Sequence, residues 1–193
     1  MRYKAIIFDM DGTIIATESV WEQSSKALLK KHGNLSDQEC HALLPHMKGA
    51  SLYKTCELIK QLFQLDIPLE HLIAERESLA FRDFGNGISL IDGFENFHQQ
   101  LATHNLKSAI ATNATESSLQ QILKTISLDR FFKHHIYTID RVNKQAKPKP
   151  DVYLFAAEQL GVQPDECITI EDSAHGIAAA KAAKMFCIGI NTG

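Results

Sequence analysis

Apolar residues along this chain fall in two different rhythms. Continuous apolar runs occur at "YKAIIFD" (3–9), "LKSAIAT" (106–112), "HHIYT" (134–138), "CITI" (167–170) and "MFCIGI" (185–190). Runs without polar alternation suit strands that are covered on both faces. Between the later runs lie stretches with helical spacing: "TESSLQQILKTI" (115–126), "PDVYLFAAEQLG" (150–161) and "SAHGIAAAKAAK" (173–184). Strands alternating with helices of this length predict βαβ units, hence an α/β fold with a doubly wound parallel sheet. Sheets of this kind gather ligands beyond the carboxyl ends of their strands.

Residues 17–86 follow only the helical rhythm. Leu28, Leu43, Leu58, Leu62, Leu72 and Leu79 recur at helical spacing, and no strand pattern interrupts them. Helix starts are marked at Ser36, with Glu39 three residues on as in a capping box, at Ser51, and at Pro68 in a first-turn position. The pattern predicts about four helices inserted as a bundle (17–86) into an α/β core made of 1–16 and 87–193. The glycines of "DFGNGISL" (83–90) suggest a flexible connection back to that core.

Composition narrows the class. With 193 residues, 45% hydrophobic and 22% charged, the chain suits one sizeable core with a modest insertion and not a disordered protein. A formal net charge of −3 argues against a nucleic-acid partner, which calls for a clustered basic face. No run is long enough to span a membrane. The first residues lead straight into "AIIFDMDG" with no signal-peptide body, so a cytoplasmic protein is expected. The four cysteines lie far apart without a C-x-x-C spacing and read as free thiols. Neither His41 with His46 nor the pair His134 and His135 sets two ligands on one helix face, which argues against a histidine metal site. Oligomeric state leaves no readable mark.

The strand ends carry the chemistry. The first run ends in Asp9 and Asp11, the second in Thr112 and Asn113, and "KPKPD" (147–151) offers a lysine on a loop stiffened by Pro148 and Pro150. The fourth run ends in Glu171, Asp172 and Ser173. Carboxylates gathered in one cleft raise one another's pKa values, and a hard divalent cation relieves that repulsion. Oxygen donors with room for water favour Mg²⁺. Carboxylates, Mg²⁺, an ammonium and a hydroxyl together suit phosphoryl transfer, with a carboxylate as nucleophile. Extended residues alternate in direction, so Asp9 and Asp11 share a side and Met10 faces packing. Gly12 lets the chain turn closely, and Thr13 can hydrogen-bond the backbone or a carboxylate.

In this order, "DMDGT" (9–13), "ATNAT" (111–115), "KPKPD" (147–151) and "IEDSAHGI" (170–177) resemble the four motifs of the haloacid dehalogenase-like hydrolase superfamily. The helical insertion resembles the cap of its β-phosphoglucomutase-like and sugar-phosphate phosphatase group. The resemblance implies a Mg²⁺-dependent phosphatase acting on a small phosphate ester. It makes Asp9 the nucleophile and a metal ligand, and Asp11 the acid and base with its carbonyl toward the metal. Thr112 and the Asn113 amide would hold phosphoryl oxygens, Lys147 would bridge phosphate and nucleophile, and Asp172 would complete the metal site. Glu171 would bind the metal directly or through water. In the insertion, Lys48 and Gly49 match the substrate-specificity segment. Lys48 is either a substrate contact or a surface lysine, and Trp21 either stacks on a sugar or belongs to the core.

Three departures qualify the resemblance. Ala16 stands where many relatives carry an aspartate. Trp21 stands where the mutases carry a histidine, which favours phosphatase over phosphosugar mutase. The run at 185–190 is followed only by "NTG", where relatives continue with another helix and strand, so an exposed sheet edge is expected. Outside the enzyme class, the alternative is a regulatory protein that binds phosphate without turnover.

Overall fold

A computed structural model describes residues 2–192. In chain order the elements are β1 (Ala5–Phe8), α1 (Glu18–Gly33), α2 (Asp37–Leu43), α3 (Leu52–Leu62), α4 (Leu69–Gly87), α5 (Phe94–Thr103) and β2 (Lys107–Ala111). They continue with α6 (Glu116–Thr125), α7 (Asp129–Phe132), β3 (Ile136–Tyr137), α8 (Asp151–Leu160), β4 (Cys167–Glu171), α9 (Ala174–Ala182) and β5 (Phe186–Gly189). Each of the five apolar runs forms a strand. The chain divides into two compact units, one comprising Thr17–Ile88 and the other the segments up to Ala16 and from Ser89 onward.

The second unit is built on one parallel sheet in the order β3-β2-β1-β4-β5. β1 is central and fully buried, as its unbroken apolar sequence requires. On one face Ile7, Ala109, Tyr137, Val152, Tyr153, Ala156 and Ala179 form a continuous core. On the other, the Phe8 ring meets Phe94 and Phe132 edge-on at 5.8 and 5.7 Å. α5 and α7, which no apolar run marks, supply this aromatic layer. β5 pairs with β4 and closes the sheet on that side, exposing Phe186 and Ile188 as an edge strand does.

The helical unit contains α1 to α4. Its helix starts follow local chemistry: the Ser36 hydroxyl accepts from the Glu39 N–H while Glu39 accepts from the Ser36 N–H, and Ser51 caps α3 through the Lys54 N–H at 3.2 Å. Leu28, Leu29, Cys40, Cys56, Ile59 and Leu72 form its own core. The expected flexible connection at 83–90 is corrected: α4 continues through Gly87, so its glycines lie in the last helical turns. Tertiary packing accounts for the difference, because Phe84 is 2% exposed and stands edge-on to Trp21 at 5.7 Å. That anchoring outweighs the helix penalty of about 1 kcal/mol per glycine. No described helix is long and apolar enough to cross a membrane.

Burial also sets thiol chemistry. Cys40, Cys56 and Cys167 are buried and Cys187 is half-buried. Burial pushes the Cys56 and Cys167 thiols up to about 11. A thiol of that pKa is roughly 0.1% thiolate at pH 8. Ellman's reagent at pH 8 is therefore expected to modify Cys187 first, and Cys56 and Cys167 only after denaturation. Equal rates for Cys56 and Cys187 in the folded protein would contradict this burial.

Candidate active site

Three neighbouring strands end level, and the site begins there. Phe8 is in register with Ile110 of β2 and with Ile170 of β4. The next residues out are Asp9 on one strand, Ala111 and Thr112 on the second, and Glu171 and Asp172 on the third. The Asp9 N–H donates to the Ile170 carbonyl at 3.0 Å, which keeps this strand pair regular up to the carboxylate. β1 and β4 also flank the point where the strand order reverses, the place at which doubly wound sheets bind ligands.

Lys147 joins these ends. Its side chain is almost wholly buried, with Nζ 2.5 Å from Asp9 Oδ1 and 2.6 Å from Glu171 Oε1. The neighbouring Lys149 is exposed and pairs with Gln145. The loop that carries Lys147 is held by Asn113, whose side-chain oxygen accepts from the Lys147 N–H at 2.8 Å. The Thr112 hydroxyl accepts from the Ala114 N–H at 3.0 Å, which leaves its own proton to donate. Capping of α6 falls to Thr115, through the Ser118 N–H at 3.0 Å.

Glu171 is held by protein groups at both oxygens. Oε1 accepts from Lys147 and from the Tyr153 hydroxyl at 2.5 Å; Oε2 accepts from the Ser173 N–H at 3.3 Å and the Ser173 hydroxyl at 3.1 Å. Asp172 is half-buried and accepts from the Thr13 hydroxyl at 3.3 Å. Two glycines make room for these carboxylates. A Cβ on Gly12, whose φ is +81°, would lie 2.3 Å from Asp172 Oδ2, and one on Gly176 would lie 1.8 Å from the Glu171 carboxyl group. The Thr192 hydroxyl secures the same turn from outside by donating to the Gly12 carbonyl. Tyr153 and Thr192 went unnoticed in the sequence reading: a tyrosine within an apolar helix reads as core, and Thr192 has no motif around it.

Charge is unevenly compensated here. Burial pushes the Asp9 carboxyl well above the usual carboxylate range; Lys147 pulls it down, while Glu171 and Asp11 add to the rise. Glu171 is also desolvated, but the Lys147 charge and the hydrogen bonds from Lys147 and Tyr153 outweigh that and hold it below its ordinary value. Burial likewise opposes the Lys147 charge, and the two carboxylates overcome it to raise the ammonium's pKa. One ammonium thus serves two carboxylates, and Asp9 bears the deficit. Oxygens of Asp9, Glu171 and Asp172 lie within 4.8 Å of one another. An all-oxygen, electron-rich donor set of this kind fits a hard divalent cation.

The remaining expected site residues belong to the helical unit. Gly49 has φ +72° in the turn before α3, and Lys48 beside it is exposed and pairs with Glu18 at 3.3 Å. The Trp21 ring packs on that unit's core, with Phe84 edge-on and the Arg76 guanidinium 5.2 Å from its centroid. Trp21 is accordingly assigned to packing.

Comparison with known proteins adds to this geometry. The family model for haloacid dehalogenase-like hydrolases matches residues 6–190. The chain belongs to that family. A fructose-1-phosphate phosphatase of Escherichia coli is 30% identical over 98% of this chain and 97% of its own. A β-phosphoglucomutase of Bacillus subtilis is likewise 30% identical, over 98% of this chain and 84% of its own. Among solved structures, a haloacid dehalogenase-type hydrolase from Entamoeba histolytica superposes with a TM-score of 0.85 at 28% identity, covering 98% of this chain and 84% of that one. The chain is thus a haloacid dehalogenase-like hydrolase, an enzyme of a family whose relatives include sugar-phosphate phosphatases and a phosphosugar mutase. The five-stranded parallel sheet carries the acidic cluster of Asp9, Glu171 and Asp172 at its carboxyl edge.

Proposed function

We propose that this enzyme is a Mg²⁺-dependent phosphatase that hydrolyses a small, sugar-like phosphomonoester through an aspartyl-phosphate on Asp9. The observation that carries the reading is the Asp9 carboxylate at the end of β1, with a buried lysine on it and Asp172 beside it. A carboxylate oxygen of Asp9 attacks phosphorus as the bond to the leaving alcohol breaks, and Asp11 gives that alcohol its proton. Asp11 then takes a proton from the water that attacks the phosphoenzyme, releasing inorganic phosphate and restoring Asp9. Lys147 and the Thr112 hydroxyl face the charge that builds on the phosphoryl oxygens, and the Asn113 amide adds to them.

Asp9 and Asp172, with the Asp11 carbonyl, are the proposed metal ligands; Glu171, already engaged at both oxygens, acts one step back. Bound Mg²⁺ supplies positive charge against the phosphoryl oxygens. Substrate recognition falls to the helical unit, with Lys48 and Gly49 as proposed contacts. The four free thiols suit a reducing compartment, and the cytoplasm is the proposed location. Trp21, in place of the histidine of the mutases, favours hydrolysis over isomerisation.

Phosphate release from a panel of sugar phosphates, nucleoside monophosphates and an aryl phosphate, with and without Mg²⁺, tests the reading. Release above the Asp9→Asn background on at least one ester is expected. No release on any ester would sink it, and bisphosphate-dependent isomerisation of a sugar 1-phosphate would favour the mutase instead. Metal binding has a separate readout in thermal unfolding. Mg²⁺ at 100 times its Kd is expected to stabilise the protein by about 2.7 kcal/mol. EDTA should reverse the effect and Asp172→Asn should diminish it, whereas a melting temperature indifferent to Mg²⁺ would refute the metal assignment.

A further inference from the structure

We propose that Tyr153 is a positioning residue for the phosphoryl-transfer lysine: its hydroxyl limits the pull of Glu171 on Lys147 and so keeps the ammonium on Asp9. The inference rests on the role proposed above for Lys147. Tyr153 lies on α8, six residues beyond Lys147, and is 0% exposed. Its hydroxyl donates to Glu171 Oε1 at 2.5 Å, the same oxygen that accepts from Lys147 Nζ at 2.6 Å. Its ring lies under the ammonium, with Nζ 4.6 Å from the centroid. One side chain thus touches both the lysine and the carboxylate that competes with Asp9 for it.

The competition matters because Lys147 divides itself between two carboxylates at nearly equal distance, 2.5 Å to Asp9 and 2.6 Å to Glu171. A buried carboxylate oxygen with one donor is a stronger acceptor for that donor than an oxygen shared by two. Without the Tyr153 hydroxyl, Glu171 Oε1 would be left to Lys147 alone, and the ammonium would move off the nucleophile. A phenylalanine would fill the same space and keep the ring under the ammonium. Packing alone therefore does not account for the hydroxyl. A buried hydroxyl needs some acceptor, but many would satisfy it; here it meets the oxygen that competes with Asp9 for the lysine.

Tyr153→Phe keeps the ring and removes only the hydrogen bond, and Tyr153→Leu is the packing control. Measured well below the melting temperature, Tyr153→Phe is expected to lower kcat for the best ester by about tenfold with KM within twofold, the scale of one misplaced hydrogen-bonded group. An independent readout is the ¹⁵N ammonium resonance of Lys147, assigned by its loss in Lys147→Met, which should shift in Tyr153→Phe without ester present. Unchanged kcat together with an unchanged resonance would overturn the proposal. So would losses of kcat in Tyr153→Phe and Tyr153→Leu that merely follow their losses of stability. If the wild type releases no phosphate from any ester, the functional reading fails, and the ammonium resonance alone decides for or against Tyr153.

Discussion

Replacing Asp9 by asparagine is expected to cut phosphate release by roughly 10⁴- to 10⁶-fold, the scale seen when a catalytic nucleophile is removed. Folding should not suffer with it. The amide keeps an oxygen for Lys147 and removes a buried charge that the site compensates poorly. Because burial raises the Asp9 pKa above its unfolded value, the ionised form costs stability once pH exceeds the ordinary carboxylate range, and that cost vanishes in acid. Asp9→Asn should therefore gain stability over the wild type as pH rises above the ordinary carboxylate range, in metal-free buffer. Urea unfolding over that rise in pH, beside phosphate release, checks both parts. A variant that is inactive and also less stable at neutral pH would mean that Asp9 serves the fold before the chemistry.

Lys147→Met should have the opposite effect on stability and the same direction of effect on activity. It removes the one ammonium that Asp9 and Glu171 share and leaves both carboxylates buried beside an apolar chain. Breaking a buried pair in this way costs about 3–5 kcal/mol. The Lys147 pKa is raised in the fold, so its contribution is complete below its ordinary value of 10.5 and is lost only as pH climbs through the folded value. The full penalty is therefore expected at pH 7, read as a lower urea midpoint with unchanged slope. Phosphate release should fall by at least 10²- to 10³-fold, about the effect of deleting one electrostatic stabiliser of a transition state. A methionine variant as stable as the wild type would show that the two carboxylates do not depend on this lysine.

The sheet was legible because burial on both faces writes itself as unbroken apolar runs; β1, β2, β3 and β5 each lie within one, and β4 runs one residue past its own, to Glu171. α5 was not legible, because its buried Phe94 and Leu101 are separated by "ENFHQQ", and the Phe8 ring beneath explains why Phe94 turns inward. The last turns of α4 were misread because glycine's local preference was weighed without Trp21 across from Phe84. Within the site, the prolines marked a stiff loop, and only the resemblance of "KPKPD" to the family motif favoured Lys147 over Lys149. Whether Glu171 would meet a metal directly or through water stayed open, since its donors from Lys147, Tyr153 and Ser173 leave no mark in the sequence. Tyr153 lay beyond sequence reasoning for the same reason: it sits on a helix, and its partner is eighteen positions away at the end of a strand.

The level ends of β1, β2 and β4 have a consequence for how activity is gained and lost. Asp9, Thr112 and Asp172 lie at the level ends of three strands that main-chain hydrogen bonds align, so on the function proposed above the catalyst is complete only when all three strands are paired. A slip of a single position along β4 would exchange the directions of Glu171 and Asp172 and leave an intact-looking fold without function. Partly folded molecules of this enzyme should therefore show no graded activity. Catalysis should switch on and off with the slowest-exchanging amides of the central strands.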